Sequence, residues 1–230
     1  MVSILIPIYN TPINYLQECF DSIDSQTFKE YEVVIVNDGS SDEITEYLNS
    51  LNRNNYSIHH QNKSGISMAL NFGLQKCKFN LVARMDGDDL MLPDRLEKQY
   101  RYFKYNDVDV LGTQIELFGD GVEKKITKHP LIVARHEMAN SDWFLNHPSV
   151  MFNRDRIVSI GGYNSEFDGL EDLELWCRAL LNNYKLRNLP DLLLRHRRHS
   201  DNATVRNNLS VILQKIYQVR NFYYQKIAYG

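Results

Sequence analysis

Five short runs of apolar and β-branched residues punctuate the first half of the chain, at residues 3–9, 32–36, 57–60, 80–85 and 108–112. Most are apolar throughout and not only at alternate positions, which is how strands read when a sheet is covered on both faces. Segments with helical spacing lie between them. They run from Pro12 to about Gln26, from Ser41 to about Leu51, over 64–77 with Ile66, Leu70, Gly73 and Leu74 on one side, and over 93–105 with a proline in the first turn. Strand–helix alternation of this kind predicts an α/β fold, a mostly parallel Rossmann-like sheet flanked by helices. The second half is less regular. Gly119-Asp120-Gly121 suits a hairpin turn, 132–144 a helix, 149–152 a short strand, 171–181 a helix and 207–228 a last long helix. With no repeat or linker visible, the expectation is a single domain over 1–205, split into a regular half (1–112) and a less regular half (113–205), followed by an amphipathic helix over 206–230.

A chain of 230 residues with 43% hydrophobic residues can bury a core without disulfide staples. Cys19, Cys77 and Cys177 are isolated, with no C-x-x-C pair, which excludes a zinc knuckle and fits a reducing, cytoplasmic compartment. The apolar N-terminus is broken by Pro7 and Asn10, so it reads as a core strand and not a signal peptide. The net charge of −3 argues against a nucleic-acid binder. Charge is uneven, however: residues 195–230 carry +6 and the remainder −9. The basic tail, with Leu209, Ile212, Leu213, Ile216, Val219, Tyr223 and Ile227 at helical spacing, suggests docking on its own domain or peripheral contact with an anionic membrane.

In open α/β sheets, ligands gather at the carboxyl ends of the strands. Three polar clusters fall there: Pro7, Tyr9 and Asn10 after the first run, Asn37-Asp38-Gly39-Ser40-Ser41-Asp42 after the second, and Asp86-Gly87-Asp88-Asp89 after the fourth. Any one of them would serve as a turn or helix cap; three on one edge point to a site. Three carboxylates within four residues repel one another unless a cation sits among them, and hard oxygen ligands suit Mg²⁺ or Mn²⁺ shared with a phosphorylated substrate. No G-x-G-x-x-G, G-x-x-x-x-G-K-[ST] or G-x-S-x-G is present, which removes the usual dinucleotide, P-loop and hydrolase signals.

These segments, in this order, resemble family 2 glycosyltransferases of the GT-A fold. The similarity runs from Val2 to about Thr204 and also takes in Asn62-Lys63-Ser64-Gly65, Asn71, Ala83-Arg84-Met85, residues 93–99, His147-Pro148-Ser149, Gly161-Gly162-Tyr163 and 171–176. It implies a nucleotide-sugar-binding first half and an acceptor-binding, catalytic second half. The reaction implied is inverting transfer of a hexose or N-acetylhexosamine from a UDP-sugar to a hydroxyl of a glycan, lipid-linked or protein-linked acceptor. On this reading Pro7 and Tyr9 line the uracil pocket, Asp38 hydrogen-bonds the uracil ring and Asn10 is a further nucleotide-sugar contact. Lys63 and Gly65 lie beside the nucleotide or form a plain helix-entry turn. Arg84, Asp86 and Gly87 approach the ribose and diphosphate. Asp88 holds the metal, and Asp89 orients the site. Asp172 is the general base and Glu171 orients it or meets the acceptor, although acidic residues opening a helix also complement its dipole. In the basic segment, His199 completes the metal shell and Arg197 and Arg198 pair with phosphate oxygens. His196 stands between that role and a solvated loop, and His147 between acceptor pocket and structural turn. A sugar nucleotidyltransferase usually has a Gly-rich phosphate loop where Pro7-Ile8-Tyr9-Asn10 has no glycine. A non-catalytic nucleotide-sugar or glycan-binding module has no need to keep both Asp88 and Asp172.

Overall fold

The computed structural model describes residues 1–137, 144–199, 215–223 and 225. Its strands, in chain order, are β1 (Val2–Ile8), β2 (Tyr31–Asp38), β3 (Tyr56–Gln61), β4 (Leu81–Arg84), β5 (Leu90–Met91), β6 (Val110–Phe118), β7 (Lys125–Thr127), β8 (Ile132–Val133), β9 (Met151–Asn153) and β10 (Leu186–Arg197). The helices are α1 (Ile13–Asp24), α2 (Asp42–Asn49), α3 (Ile66–Lys76), α4 (Arg95–Tyr105), α5 (Arg154–Ser159) and α6 (Glu171–Leu181). All the strands join one sheet in the order β3-β2-β1-β4-β9-β6-β10-β5, with β7 on β6 and β8 on β10. Strands β1 to β4 run parallel, as do β6 and β10; β9 is inserted antiparallel between β4 and β6.

The apolar runs are unbroken because both faces of the sheet are buried. Val2, Ile4, Ile6 and Ile8 point to one layer with Leu16, Cys19, Phe20 and Ile23 of α1 and Leu48 of α2. Leu5, Val34 and Val36 point to the other, with Leu70 and Leu74 of α3 and Leu173, Trp176 and Cys177 of α6. Each such side chain contributes about 1.5–3 kcal/mol on full burial.

The join between the parallel blocks is braced by buried polar groups. Arg95 of α4 donates to the carbonyls of Arg84 (2.8 Å) and Val150 (3.2 Å) and to Gln99 Oε1 (3.1 Å), while Gln99 donates to Leu111 O (2.7 Å) and Ser149 O (3.0 Å). Burial pushes the Arg95 guanidinium down to about 9, so it is still charged at neutral pH. One helix thereby fixes the end of β4, from which the acidic loop emerges.

The expected hairpin forms: β6 and β7 pair antiparallel around the glycine turn. The strand expected at 108–112 is β6, which begins at Val110 and extends to Phe118. The helix expected over 132–144 is not what its first residues form, because Ile132 and Val133 pair with the edge of β10, and 138–143 lie outside the described residues. Strands β5 and β10 and helix α5 were not anticipated. Strand β10 escapes a period-2 reading because its pairing with β6 shifts register twice, between Asn188 and Leu194, where Pro190 falls.

Of the last expected helix, 215–223 is helical. Its apolar face is spent inside the protein: Ile216, Val219 and Tyr223 join the core beside Trp176. The expectation of membrane contact through this face therefore finds no free apolar surface at these three residues; 207–214 and 226–228 lie outside the described residues. No helix among the described residues is long and apolar enough to cross a membrane.

Candidate active site

Strand β4 delivers Arg84 and the 86–89 loop to the carboxyl edge of the sheet, beside the ends of β1 and β2. The Cys19 thiol of α1 holds the carbonyl of Asp86 at 3.6 Å. Arg84, almost fully buried, grips the Asp86 carboxylate with both terminal nitrogens at 2.7 and 2.6 Å. Gly87 packs against α1, where a β-carbon would press on Leu16.

The other two carboxylates of the loop each meet a histidine from the end of β10. Asp89 is fully buried; it accepts the Arg197 backbone N–H (2.8 Å) and contacts His196 Nδ1 at 3.1 Å. Burial opposes charge on His196, but the nearby Asp89 outweighs it and raises the imidazole pKa. Asp88 Oδ2 lies 2.9 Å from His199 Nε2. Burial, then the charges of Asp89 and Asp86, push the Asp88 carboxyl up to about 6.

A divalent cation fits this chemistry. Asp86, Asp89 and His196 offer ligand atoms within 4.8 Å of one another. The Asp88–His199 separation of 2.9 Å matches the roughly 3 Å edge between adjacent ligands of an octahedron with bonds of about 2.1 Å. Of these groups, Asp89 is already committed to His196 and the Arg197 backbone, which makes it a support for the loop.

The Arg197 guanidinium donates to Asp88 O (2.8 Å) and Glu18 Oε2 (2.5 Å) and stacks over Tyr15 and Phe118. It braces the acidic loop from a buried position, and its stacking partners gave no sequence signal. Arg198 remains partly exposed at the strand end, its backbone N–H on Phe118 O.

Beside the end of β1, Asp38 ends β2 buried. Its Oδ1 accepts from Gln61 Nε2 (2.7 Å) and from both the N–H and the hydroxyl of Ser64 (2.9 Å each), and Oδ2 accepts from Gly65 N–H (3.0 Å). Gly65 has φ +96°, and a β-carbon there would run into the Asp168 carboxylate. Asn10 (φ +51°) accepts the Ser41 N–H, linking the ends of β1 and β2. Tyr9 is exposed, with Lys63 Nζ donating to its hydroxyl at 2.6 Å. Pro7 lies buried within β1.

Glu171 and Asp172 open α6. Glu171 is buried and accepts the Gly169 N–H (2.7 Å); Asp172 is half-buried and accepts its neighbour's Leu173 N–H (2.7 Å). Burial and then the Asp172 charge push Glu171 up to about 7, and burial pushes Asp172 up to about 6. Arg84 acts on both from the opposite sense. The same arginine therefore holds Asp86 and faces the pair on α6.

The architecture and this edge define a GT-A glycosyltransferase. A family model described as glycosyl transferase family 2 matches residues 3–160. The O-antigen biosynthesis glycosyltransferase WbnJ of Escherichia coli is 34% identical over 96% of this chain and 89% of its own length. The UDP-Gal:alpha-D-GlcNAc-diphosphoundecaprenol beta-1,3-galactosyltransferase of Escherichia coli is 31% identical over 96% and 82%. Among solved structures, S. aureus TarS 1-349 in complex with UDP-GlcNAc aligns with a TM-score of 0.76 at 19% identity, covering 95% of this chain and 66% of that one. That likeness establishes the fold. This chain belongs to glycosyltransferase family 2.

Proposed function

We propose that the chain transfers a hexose or N-acetylhexosamine from a UDP-sugar to a hydroxyl of a growing glycan, with inversion and with Mn²⁺ or Mg²⁺. The observation that carries this reading is the placement of Arg84, which ties the acidic loop to the surroundings of the Glu171–Asp172 pair. TarS, a structural neighbour, is described with UDP-GlcNAc, and a relative is named for UDP-Gal and a diphosphoundecaprenol-linked sugar. Both support a UDP donor, and the relative's name supports a lipid-linked sugar as acceptor.

Asp38 is the uracil contact: among the described residues its Oδ2 accepts one hydrogen bond, from Gly65, which leaves a lone pair for a ring N–H. Tyr9 and Lys63 form an exposed wall beside it. Asp88 and His199 would hold the cation, with Asp86 oriented by Arg84 and Asp89 fixing the loop. A cation bound there offsets the negative charge that grows on the departing diphosphate. Asp172 accepts the proton of the acceptor hydroxyl as it attacks, and its raised pKa suits that task near neutral pH. Attack from the face opposite the diphosphate inverts the anomeric centre. Arg198, at the strand end, faces the leaving group, while Arg197 acts through the loop it braces.

A screen of nucleotide sugars with Mn²⁺, reading the released nucleoside diphosphate, tests the proposal. Turnover confined to UDP-hexoses is expected. Turnover of GDP-sugars alone, or of none, would overturn the donor assignment.

A further inference from the structure

Three sequence segments take no part in the roles above: Asn71, His147-Pro148-Ser149 and Gly161-Gly162-Tyr163. The structure joins them in one buried chain of contacts that ends at Glu171. Asn71 of α3 clamps the backbone of Tyr163 from both sides, donating to its carbonyl at 2.7 Å and accepting its N–H at 2.9 Å. Gly162 has φ +65°, and a β-carbon there would run into Asn71 Oδ1, so the clamp needs glycine at that position. From α6, Arg178 donates to the carbonyls of Gly162 and Ile160. Tyr163 is thus pinned from two helices, 2% exposed, with its hydroxyl 2.9 Å from His147 Nε2.

His147 sits in a short helical turn (His147–Ser149), its ring edge-on to Trp176. Its Nδ1 lies 3.8 Å from Glu171 Oε1. Burial and the Arg84 charge push its pKa well below the ordinary value, so the ring is neutral. A neutral imidazole carries one proton, and the hydrogen bond at one nitrogen decides which. Among the described residues the buried Tyr163 hydroxyl has no other hydrogen-bond partner, so its hydrogen is satisfied only by donation to His147 Nε2. The imidazole proton is then on Nδ1, facing Glu171.

We infer that Tyr163 and His147 are positioning residues for Glu171: the tyrosine hydroxyl fixes the Nδ1–H form of His147, which orients the Glu171 carboxylate as an anion beside Asp172. The 3.8 Å gap is under 1 Å longer than a hydrogen bond, and catalytic contacts of this kind commonly tighten when substrate binds. The inference deepens the proposed transfer reaction and rests on it for the role of Glu171. The charged groups that face this corner are Arg84, Asp86 and Asp172. Asp172 favours protonation of Glu171, and Arg84 with the Nδ1–H opposes it.

The test is long-range ¹H–¹⁵N NMR of the histidine rings in the full chain at pH 7.5, with His147→Gln used to assign the signal. The result expected is a bare Nε2 and protonated Nδ1 in wild type, and a loss of that single form in Tyr163→Phe. With a UDP-sugar that the enzyme turns over, Tyr163→Phe should lower kcat about 5- to 50-fold, keep the donor KM within about twofold, and move the acid limb of the kcat profile to higher pH. A protonated Nε2 in wild type, or a Tyr163→Phe protein with the same ring form and the same pH profile, overturns the inference. If wild type releases no UDP from any donor, the transferase reading fails, while the ring measurement, which needs no substrate, still decides this one.

Discussion

Replacing Asp172 by Asn should make the protein both slower and more stable at neutral pH. The two effects share a cause. The folded-state pKa of Asp172, about 6, lies above its ordinary value of 3.8, because the fold removes water from the carboxylate. A raised acid destabilises the folded state once it ionises. The penalty is absent below about pH 4, grows between 4 and 6, and is complete above 6. Two pH units at about 1.4 kcal/mol each cap it at about 3 kcal/mol, and water reaching a half-buried side chain reduces that to about 1–2 kcal/mol. Asparagine removes the charge and can still accept the Leu173 N–H. Urea unfolding at pH 8 should therefore show Asp172→Asn more stable by about 1–2 kcal/mol, with the difference vanishing near pH 4. UDP release with acceptor present should fall about 10²- to 10⁴-fold, the usual contribution of a general base. Wild-type kcat should drop about tenfold per unit below about pH 7, where Glu171 takes a proton, and more steeply below about 6, where Asp172 does. An Asn variant that turns over normally, or one less stable than wild type at pH 8, would refute the reasoning.

Two further outcomes test how the site is held. Arg95→Met removes the donor to Arg84 O and Val150 O and leaves Gln99 Oε1 buried, so the urea midpoint should fall by the equivalent of about 2–4 kcal/mol, with weaker UDP binding as the β4 end loosens. Gly65→Ala imposes a side chain at φ +96° against Asp168; thermal unfolding should show a loss of about 1–3 kcal/mol, and UDP affinity should fall because the backbone shift that relieves the clash pulls the residue 65 N–H away from Asp38.

The first half of the fold was legible in the sequence because its physics is local. Ile4, Ile6 and Ile8 alternate with Leu5 across a sheet buried on both faces, and the polar residues that follow mark where each strand ends. The acidic loop was legible for the same reason: it leaves a buried strand. What escaped reading depends on distant partners. Strand β10 is interrupted by Pro190 and two register shifts, and its partner β6 lies some 80 residues earlier. The surroundings of Arg197, with Tyr15, Glu18 and Phe118 drawn from distant parts of the chain, left no local signal. His196 and His199 sit on one short segment, and only the pairing of β10 with β5 and β6 shows that the first meets Asp89 and the second Asp88.

The central claim is that a cation held at Asp88 joins the 86–89 loop to a nucleoside diphosphate. Calorimetry of UDP binding, with Mn²⁺ and again with excess chelator, tests it in wild type, Asp88→Asn and His199→Ala. The account predicts wild-type affinity at least tenfold tighter with Mn²⁺, and a gain largely lost in both variants. Equal UDP affinity with metal and with chelator, in a wild-type protein that binds UDP, would contradict it.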